Sequence, residues 1–256
     1  MNTWWKRAVA RPVIALGRAR ERRHFSGPPI LIGGCARSGT TLLAAILSAH
    51  PHLWVVPRET WAFVDWQTGA DGRPRPTRPE RFYHYILFRH LPAGARRWCE
   101  KSPSNVMQIG NILAYFGPRV RVVHIVRDAR DVCLSVHPTR RDAYWVRPTR
   151  WVRDVSAGLT FRDHPQVHTL TYEALVGDTA GTIAAVLRFL DEPDTPEIAD
   201  WHAHARLRVD RALDAGLRPI FASSVGKWRE PRHAARLAEV LATPGVQPLL
   251  DQLGYA

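Results

Sequence analysis

Residues 34–41, with the sequence GCARSGTT, have the types and spacing of a loop that binds phosphate. Gly34 and Gly39 stand at the glycine positions of the pattern G-x-x-x-x-G-K-[ST], and Thr40 takes the place of its lysine. Glycines let the backbone approach a phosphate closely, and the N-terminus of a following helix adds about half a positive charge. Arg37 adds a charged fork within the loop. The segment therefore predicts a phosphate site.

The missing lysine narrows the kind of phosphate ligand. A kinase or ATPase uses that lysine on the β- and γ-phosphates, and an acidic residue holds its Mg²⁺. Here the apolar run VVHIV is followed by Arg127 and not directly by an acid. We therefore expect no metal and a ligand other than a magnesium triphosphate, with a small-molecule P-loop kinase as the nearest alternative enzyme.

Short apolar runs alternate with helical patterns along most of the chain. Residues 30–33, 120–126 and 167–172 are typical of buried strands, and Trp98-Cys99 is interpreted as the end of another strand. Helical patterns follow these runs, and residues 68–80 and 137–150 are predicted as loops. Such alternation predicts an α/β fold of three layers, with a parallel sheet between helices as in P-loop proteins.

The polar motifs all fall at one edge of this predicted sheet. Residues 34–41, Glu100-Lys101, Arg127-Asp128 and Tyr172-Glu173 lie at or just beyond the carboxyl end of a strand. Open parallel sheets bind their ligands at that edge. The sequence therefore predicts one site assembled from four segments.

Composition limits the class of protein but does not identify the kind of binding partner. The chain has 256 residues, 45% hydrophobic and 23% charged, with a net charge of +13, which suits a folded globular protein. The basic side chains are nearly all arginines, and the lysines are Lys6, Lys101 and Lys227. A basic surface attracts polyanions, so a nucleic-acid- or membrane-binding module remains an alternative, although it does not explain the clustered motifs.

The ends of the chain and its cysteines indicate its organisation. We predict a basic N-terminal extension at residues 1–28 and a single domain at residues 29–256. No apolar run approaches the roughly 20 residues that span a bilayer, and the three cysteines, an odd number, argue against a disulfide framework. We expect a cytoplasmic protein, with peripheral contact between the N-terminus and an acidic membrane as a further possibility.

Residues 32–43 (IGGCARSGTTLL) and 126–135 (VRDARDVCLS) together resemble the two nucleotide-binding motifs of sulfotransferases that use 3′-phosphoadenosine 5′-phosphosulfate (PAPS). The first is similar to the form in the Golgi, tyrosylprotein and bacterial branches. Residues 100–103 (EKSP), 171–176 (TYEALV) and 223–229 (SSVGKWR) resemble three shorter family segments in the same order. The sequence departs from the family at Cys35-Ala36, where proline before the arginine is common, and at Ala174, where aspartate is frequent.

The resemblance implies a P-loop-like fold and PAPS as co-substrate without a metal. It assigns the 3′-phosphate to Arg127 and Ser135 and adenine to Tyr172, and it places Lys227 and Trp228 in a segment that closes over the nucleotide. The residues it implies around the 5′-phosphosulfate are Gly34, Arg37, Ser38, Gly39, Thr40 and Thr41.

The predicted catalytic residues are Glu59, Lys101 and Arg37. In related sulfotransferases a glutamate after the first helix is the base that deprotonates the acceptor, and Glu59 stands there. Lys101 is one of few lysines in an arginine-rich chain, which favours a role that needs a compact ammonium, such as approach to the leaving oxygen. The alternatives are a surface pair of Glu59 with Arg58, a structural pair of Glu100 with Lys101, and a fold that binds nucleotide without turnover.

The acceptor is a hydroxyl or an amine whose class the sequence leaves open. Carbohydrate, lipid, peptide and secondary metabolite all remain, with no specific nucleic acid expected. The predicted reaction is an in-line displacement at sulfur.

Overall fold

A parallel sheet forms the centre of the computed structural model of this chain, which describes residues 3–136, 140, 143–207 and 224–255, with side chains from residue 10 onward. Five strands run in the order β2-β5-β1-β6-β7, and β3 and β4 pair as a separate antiparallel hairpin. The strands are β1 (Ile30–Gly34), β2 (Leu53–Val55), β3 (Trp66–Thr68), β4 (Pro74–Pro76), β5 (Arg97–Lys101), β6 (Arg121–Val126) and β7 (Val167–Thr171).

Helices flank this sheet on both faces, which confirms the predicted three-layer α/β class. The helices are α1 (Thr3–His24), α2 (Thr40–Leu47), α3 (Glu80–Phe88), α4 (Ile109–Phe116), α5 (Ala129–Val132), α6 (Pro148–Leu159), α7 (Tyr172–Gly177), α8 (Thr179–Phe189), α9 (Pro196–Ala199), α10 (Trp201–His204), α11 (Ala234–Leu241) and α12 (Val246–Leu253). Short 3₁₀ turns cover Pro103–Gln108, Gly117–Arg119, Lys227–Arg229 and Pro231–His233.

Alternate residues of the central strands supply the two main cores. In β1, Ile30 and Ile32 pack with α2 and α8, whereas Leu31 packs with α3 and α4. Successive side chains of a strand point to opposite faces, and a strand buried on both faces is apolar throughout. This is why the continuous run at residues 30–33 predicts a strand so clearly. A third apolar cluster joins Cys35 to α6, α11 and α12.

Several element bounds differ from the predicted ones. Glu100 and Lys101 are the last two residues of β5 and not a segment leaving it. The predicted loop at residues 68–80 contains β4 and the first residue of α3, and the predicted loop at 137–150 contains the start of α6. In both places proline-rich sequence masked regular structure, since Pro74 and Pro76 lie in a two-stranded hairpin and Pro148 begins a helix.

The predicted N-terminal extension is a helix packed on the rest of the protein. Glu21 of α1 accepts hydrogen bonds from Trp98 Nε1 at 2.7 Å and from the Tyr83 hydroxyl at 3.1 Å. Phe25 is buried and stacks on Trp54 with ring centroids 6.0 Å apart. The hydrogen bonds of Glu21 thus hold α1 against both β5 and α3. The limit at residues 28 and 29 stays a prediction.

The cysteines at positions 35, 99 and 133 are free and buried. Among the described residues, no helix is both long and apolar enough to span a bilayer.

Candidate active site

The phosphate loop connects β1 to α2 by an unusual backbone path. Gly39, just before α2, has φ 95°, and a Cβ there would lie 2.5 Å from Tyr172 Cδ2. Arg37 adopts φ 71°, a left-handed conformation that costs a non-glycine residue of order 1–3 kcal/mol. The buried Ser38 hydroxyl has no hydrogen-bond partner within the described part of the chain. Thr40 is the first residue of α2, so the loop leads directly into a helix N-terminus, which favours an anion.

Lys101 joins this loop to the predicted base. Its Nζ donates to Glu59 Oε1 at 2.5 Å and to Thr41 Oγ1 at 3.2 Å. The Lys101 side chain is 10% exposed and that of Glu59 is 32% exposed, so the pair lies at the mouth of the site. The structure thereby brings together Glu59, Lys101 and Thr41, which are far apart in sequence.

The adjacent Glu100 faces the other way and has a different role from the predicted pair with Lys101. It is fully buried, and its Oε1 accepts hydrogen bonds from Thr60 N at 3.1 Å, Thr60 Oγ1 at 2.8 Å and Ser102 Oγ at 2.6 Å. Its Oε2 accepts from Asn105 Nδ2 at 2.8 Å. A buried carboxylate needs such donors, and these donors fix the loop that carries Glu59.

Arg127 follows β6 and spans the phosphate loop and the C-terminal region. It donates to the carbonyl oxygens of Arg37 at 3.2 Å and Ser224 at 2.5 Å, and its guanidinium lies 4.3 Å from the Tyr172 ring centroid. It makes no pair with Asp128, which is engaged by Arg130 at 2.8 Å. Among the residues that the structure describes, the buried Arg127 Nε has no hydrogen-bond partner.

Residues 224–229, the closing segment, dock on α5 and Tyr172. Asp131 Oδ2 accepts from Gly226 N at 2.7 Å, and its Oδ1 accepts from Trp228 N at 3.3 Å. The Tyr172 hydroxyl and the Ser224 hydroxyl share a hydrogen bond of 2.6 Å. Sequence analysis missed Asp131 and Ser224, and only the position of Asp131 in the motif at residues 126–135 offered a signal.

Three residues of the predicted nucleotide site, Lys227, Trp228 and Ser135, are placed less closely. Lys227 is exposed, and its side chain makes no hydrogen bond or ion pair with a described residue. The guanidinium groups of Arg130 and Arg229 lie 3.9 and 4.4 Å from the centroid of the half-buried Trp228 ring. Ser135 is half-buried, and its carbonyl oxygen accepts from Trp145 N at 2.8 Å.

His124 is a core residue. It is fully buried in β6, and burial lowers the pKa of its imidazole to about 4. Its Nδ1 lies 3.3 Å from Thr169 Oγ1. A neutral histidine inside the sheet does not reach the sheet edge where the other site residues lie.

The donors at the carboxyl edge of the sheet fit an anionic nucleotide. Hydroxyls, loop amides, Arg127 and Lys101 are the groups that bind phosphate and sulfate oxygens. The unpartnered Ser38 Oγ and Arg127 Nε are buried donors for which such oxygens would be acceptors. Within the described part of the chain, the cluster of histidine and acidic residues that resembles a metal site is His50, His52 and Glu192, none of which belongs to the predicted site. Hydrogen bonds engage both ring nitrogens of His50. Fold and donor set together define an α/β nucleotide-binding enzyme.

Comparison with known proteins gives the family. A family profile described as the sulfotransferase family matches residues 28–81 and 77–196. The chain therefore belongs to the sulfotransferase family, which confirms the class of sulfuryl-transferring enzyme that its motifs predicted. It is 26% identical to protein-tyrosine sulfotransferase 1 of Danio rerio over 269 residues, covering 89% of this chain and 72% of that protein. An uncharacterised Aquifex aeolicus protein is 25% identical, and the chain spans 32% of its length.

Solved structures show the same fold. The sulfotransferase domain from the curacin biosynthetic pathway superposes with a TM-score of 0.59 at 16% identity, covering 90% of this chain and 98% of that domain. Mouse sulfotransferase SULT7A1, complexed with PAP, superposes with a TM-score of 0.51 at 15% identity, covering 90% of this chain and 88% of that protein.

Proposed function

We propose that this chain transfers the sulfuryl group of PAPS to a hydroxyl or amine acceptor, with Glu59 and Lys101 as its central catalytic pair. The observation that carries the proposal is the position of Lys101 Nζ, which lies 2.5 Å from Glu59 Oε1 and 3.2 Å from Thr41 Oγ1 of the phosphate loop. One ammonium thus contacts both a candidate base and the candidate leaving-group site.

The nucleotide lies, in this proposal, along the carboxyl edge of the sheet. The phosphate loop holds the 5′-phosphosulfate, with Ser38 Oγ and Arg37 as donors. Arg127, beside the ring of Tyr172, holds the 3′-phosphate. Mouse SULT7A1 forms a complex with PAP, which is adenosine 3′,5′-bisphosphate, and the same nucleotide is the product expected here.

The transfer needs a proton acceptor on one side of sulfur and a cation on the other. Glu59 takes the proton of the acceptor hydroxyl or amine while that oxygen or nitrogen forms a bond to sulfur. The bond between sulfur and the bridging oxygen of the 5′-phosphate breaks, and that oxygen keeps the electron pair. Lys101 leaves Glu59 and donates to the oxygen that gains charge, which is the step that pre-placed cations accelerate most. General base catalysis by Glu59 adds about 10²- to 10⁴-fold.

A phenolic or other hydroxyl is the first acceptor to test. The Danio rerio relative carries the name of an enzyme that acts on protein tyrosine. Two residues after Glu59, Trp61 is 41% exposed and adopts φ 55°, and its backbone N–H donates to Ser102 Oγ at 3.3 Å. An exposed aromatic residue held in a strained conformation in the loop that carries the base is a suitable surface for an aromatic acceptor.

The location of the protein is a separate proposal. Free, buried cysteines at positions 35, 99 and 133 suit a reducing compartment, and we propose the cytoplasm. The exposed Leu16 on a helix that ends in Arg22, Arg23 and His24 supports peripheral contact with an acidic membrane.

Calorimetric titration with adenosine 3′,5′-bisphosphate, AMP and ATP tests the nucleotide site. We expect the bisphosphate to bind most tightly and Arg127→Ala to raise its Kd by about 10- to 100-fold, as loss of a charge-assisted hydrogen bond implies. The exposed Arg188 of α8 supplies the matched control Arg188→Ala, which should bind as the parent does. Equal affinity for all three nucleotides, or no effect of Arg127→Ala, would refute the proposal.

A further inference from the structure

A cavity of about 520 Å³ lies near the edge of the sheet opposite to the candidate active site. Gly27 and Pro29, just before β1, and Arg119, just before β6, contribute to its wall. The active-site residues instead lie at the carboxyl ends of the same strands. Five residues of strand rise by roughly 16 Å, so the two sites are separate.

Five arginines and two carboxylates line this cavity, a surplus of three positive charges. The carboxylates are engaged: Glu21 accepts from Trp98 and Tyr83, and Asp71 pairs with Arg75 at 2.9 Å. Burial also raises the pKa of Glu21. The cavity is therefore electropositive.

Three of these arginines have donors available. Arg22, Arg73 and Arg119 are exposed, and within the described ranges their side chains make no hydrogen bond or ion pair. By contrast, Arg18 donates to the Tyr115 hydroxyl at 2.8 Å. Arg22 comes from α1, Arg73 from the turn of the β3–β4 hairpin and Arg119 from the turn before β6, so three separate segments each contribute an arginine to the lining of one cavity.

Much of the remaining cavity wall is aromatic. The aromatic residues are Phe25, Tyr83, Trp98, Tyr115 and Phe116. Cavities of 300–1,000 Å³ with apolar walls and a few polar groups are the usual sites for small organic ligands, whereas an inorganic anion needs far less space. The cavity combines a planar apolar wall with guanidinium groups at its rim.

We propose that this cavity binds an organic oxyanion: a flat apolar body bearing a sulfate, sulfonate or phosphate group. The aromatic wall takes the body, and Arg22, Arg73 and Arg119 take the charged oxygens, to which guanidinium forks are well matched. This site is distinct from the proposed nucleotide and acceptor sites, and its existence does not depend on them.

Calorimetric titration tests the site, with the protein saturated by adenosine 3′,5′-bisphosphate so that the nucleotide site is filled. The probes are naphthalene-1-sulfonate, 1-naphthyl phosphate and uncharged 1-naphthol. We expect both anions to bind with one-to-one stoichiometry and naphthol to bind at least about tenfold more weakly. Added salt should weaken the binding of both anions and leave the binding of naphthol unchanged. A preference between the two anions distinguishes a phosphate from a sulfonate ligand, and either preference supports the site.

The variant Arg22→Ala/Arg119→Ala locates the binding. Both side chains are exposed, so a normal thermal unfolding curve should accompany a Kd for the anions raised at least about tenfold. The control Arg188→Ala removes an exposed arginine from α8, on the other layer. Three results would overturn the proposal: naphthol bound as tightly as the anions, no binding of either anion, or anion affinity that the double variant leaves unchanged.

Discussion

One oxygen of Glu100 accepts both the backbone N–H and the hydroxyl of Thr60, at 3.1 and 2.8 Å. The neighbouring residues in sequence, Lys101 and Glu59, form their own contact at 2.5 Å on the exposed side. Two adjacent residues of β5 therefore hold two adjacent residues of the loop after β2. One pair is buried and positions the backbone, and the other faces the substrate site.

Removing Glu100 should impair turnover through the position of Glu59. In Glu100→Ala, buried donors lose their acceptor at a cost of about 1–3 kcal/mol each, and the loop shifts. We expect kcat to fall by about 100-fold, measured as release of adenosine 3′,5′-bisphosphate from PAPS with a phenolic acceptor. Nucleotide affinity should stay within about threefold, because Glu100 does not face the phosphate loop.

The conservative variant Glu100→Gln serves as the control. Its amide oxygen can keep the three hydrogen bonds at Oε1, and if the Asn105 amide turns over, its amide group can donate to Asn105 Oδ1, which has no partner among the described residues. It should retain at least about a tenth of the activity. Equal loss in both variants would show that charge, and not position, is what Glu100 supplies.

Changing the catalytic pair should separate chemistry from binding. Glu59→Gln removes the base, and we expect kcat to fall by about 10²- to 10⁴-fold with an unchanged Kd for the bisphosphate. Lys101→Met should lower kcat as strongly and also weaken nucleotide binding, because Lys101 contacts Thr41 of the phosphate loop. A Glu59→Gln variant with normal kcat would assign the base elsewhere.

Asp131 should control how long the nucleotide stays bound. Asp131→Asn keeps one acceptor oxygen, but its amide group opposes the N–H of either Gly226 or Trp228. We expect the closing segment to loosen and the rate of bisphosphate dissociation to rise about tenfold. Stopped-flow measurement of this rate tests the prediction.

The matched control for this substitution is Asp178→Asn. Asp178 also accepts a backbone N–H, that of Gly181 at 2.9 Å, but it caps α8 away from the site. Its dissociation rate should match that of the parent. If both variants release nucleotide equally fast, the effect is one of general stability.

The buried His124 should make stability fall in mild acid. Its pKa is about 4 when folded, below the ordinary value of 6.5, so the unfolded chain takes up a proton that the folded chain does not. The contribution of neutral His124 is complete above pH 6.5 and is lost between pH 6.5 and about 4, by roughly 3 kcal/mol. Urea unfolding at several pH values gives the free energy of unfolding of the parent and of His124→Gln. Plotted against pH, the two free energies should differ in slope across this range, whereas parallel plots would contradict the prediction.

The sequence by itself determined the features that depend on neighbouring residues. The apolar run at residues 30–33 predicts a strand buried on both faces, and GCARSGTT predicts the turn into a helix that binds phosphate. The order of strands and helices gives a parallel sheet, and the carboxyl ends of its strands meet at one edge. From these local patterns came the fold class, the family and the segments of the candidate site.

Only the tertiary structure decided which side chains of those segments meet. Glu59 and Lys101 are 42 residues apart in sequence, Arg127 and Ser224 are 97 apart, and each pair depends on how loops of variable length return to the sheet. The proline-rich hairpin that brings Arg73 to the cavity and the basic helix that brings Arg22 appeared in sequence as a loop and an extension. No local pattern encodes such contacts, because they arise from the packing of whole elements, here the alternation of β5 side chains that turns Glu100 inward and Lys101 toward the substrate.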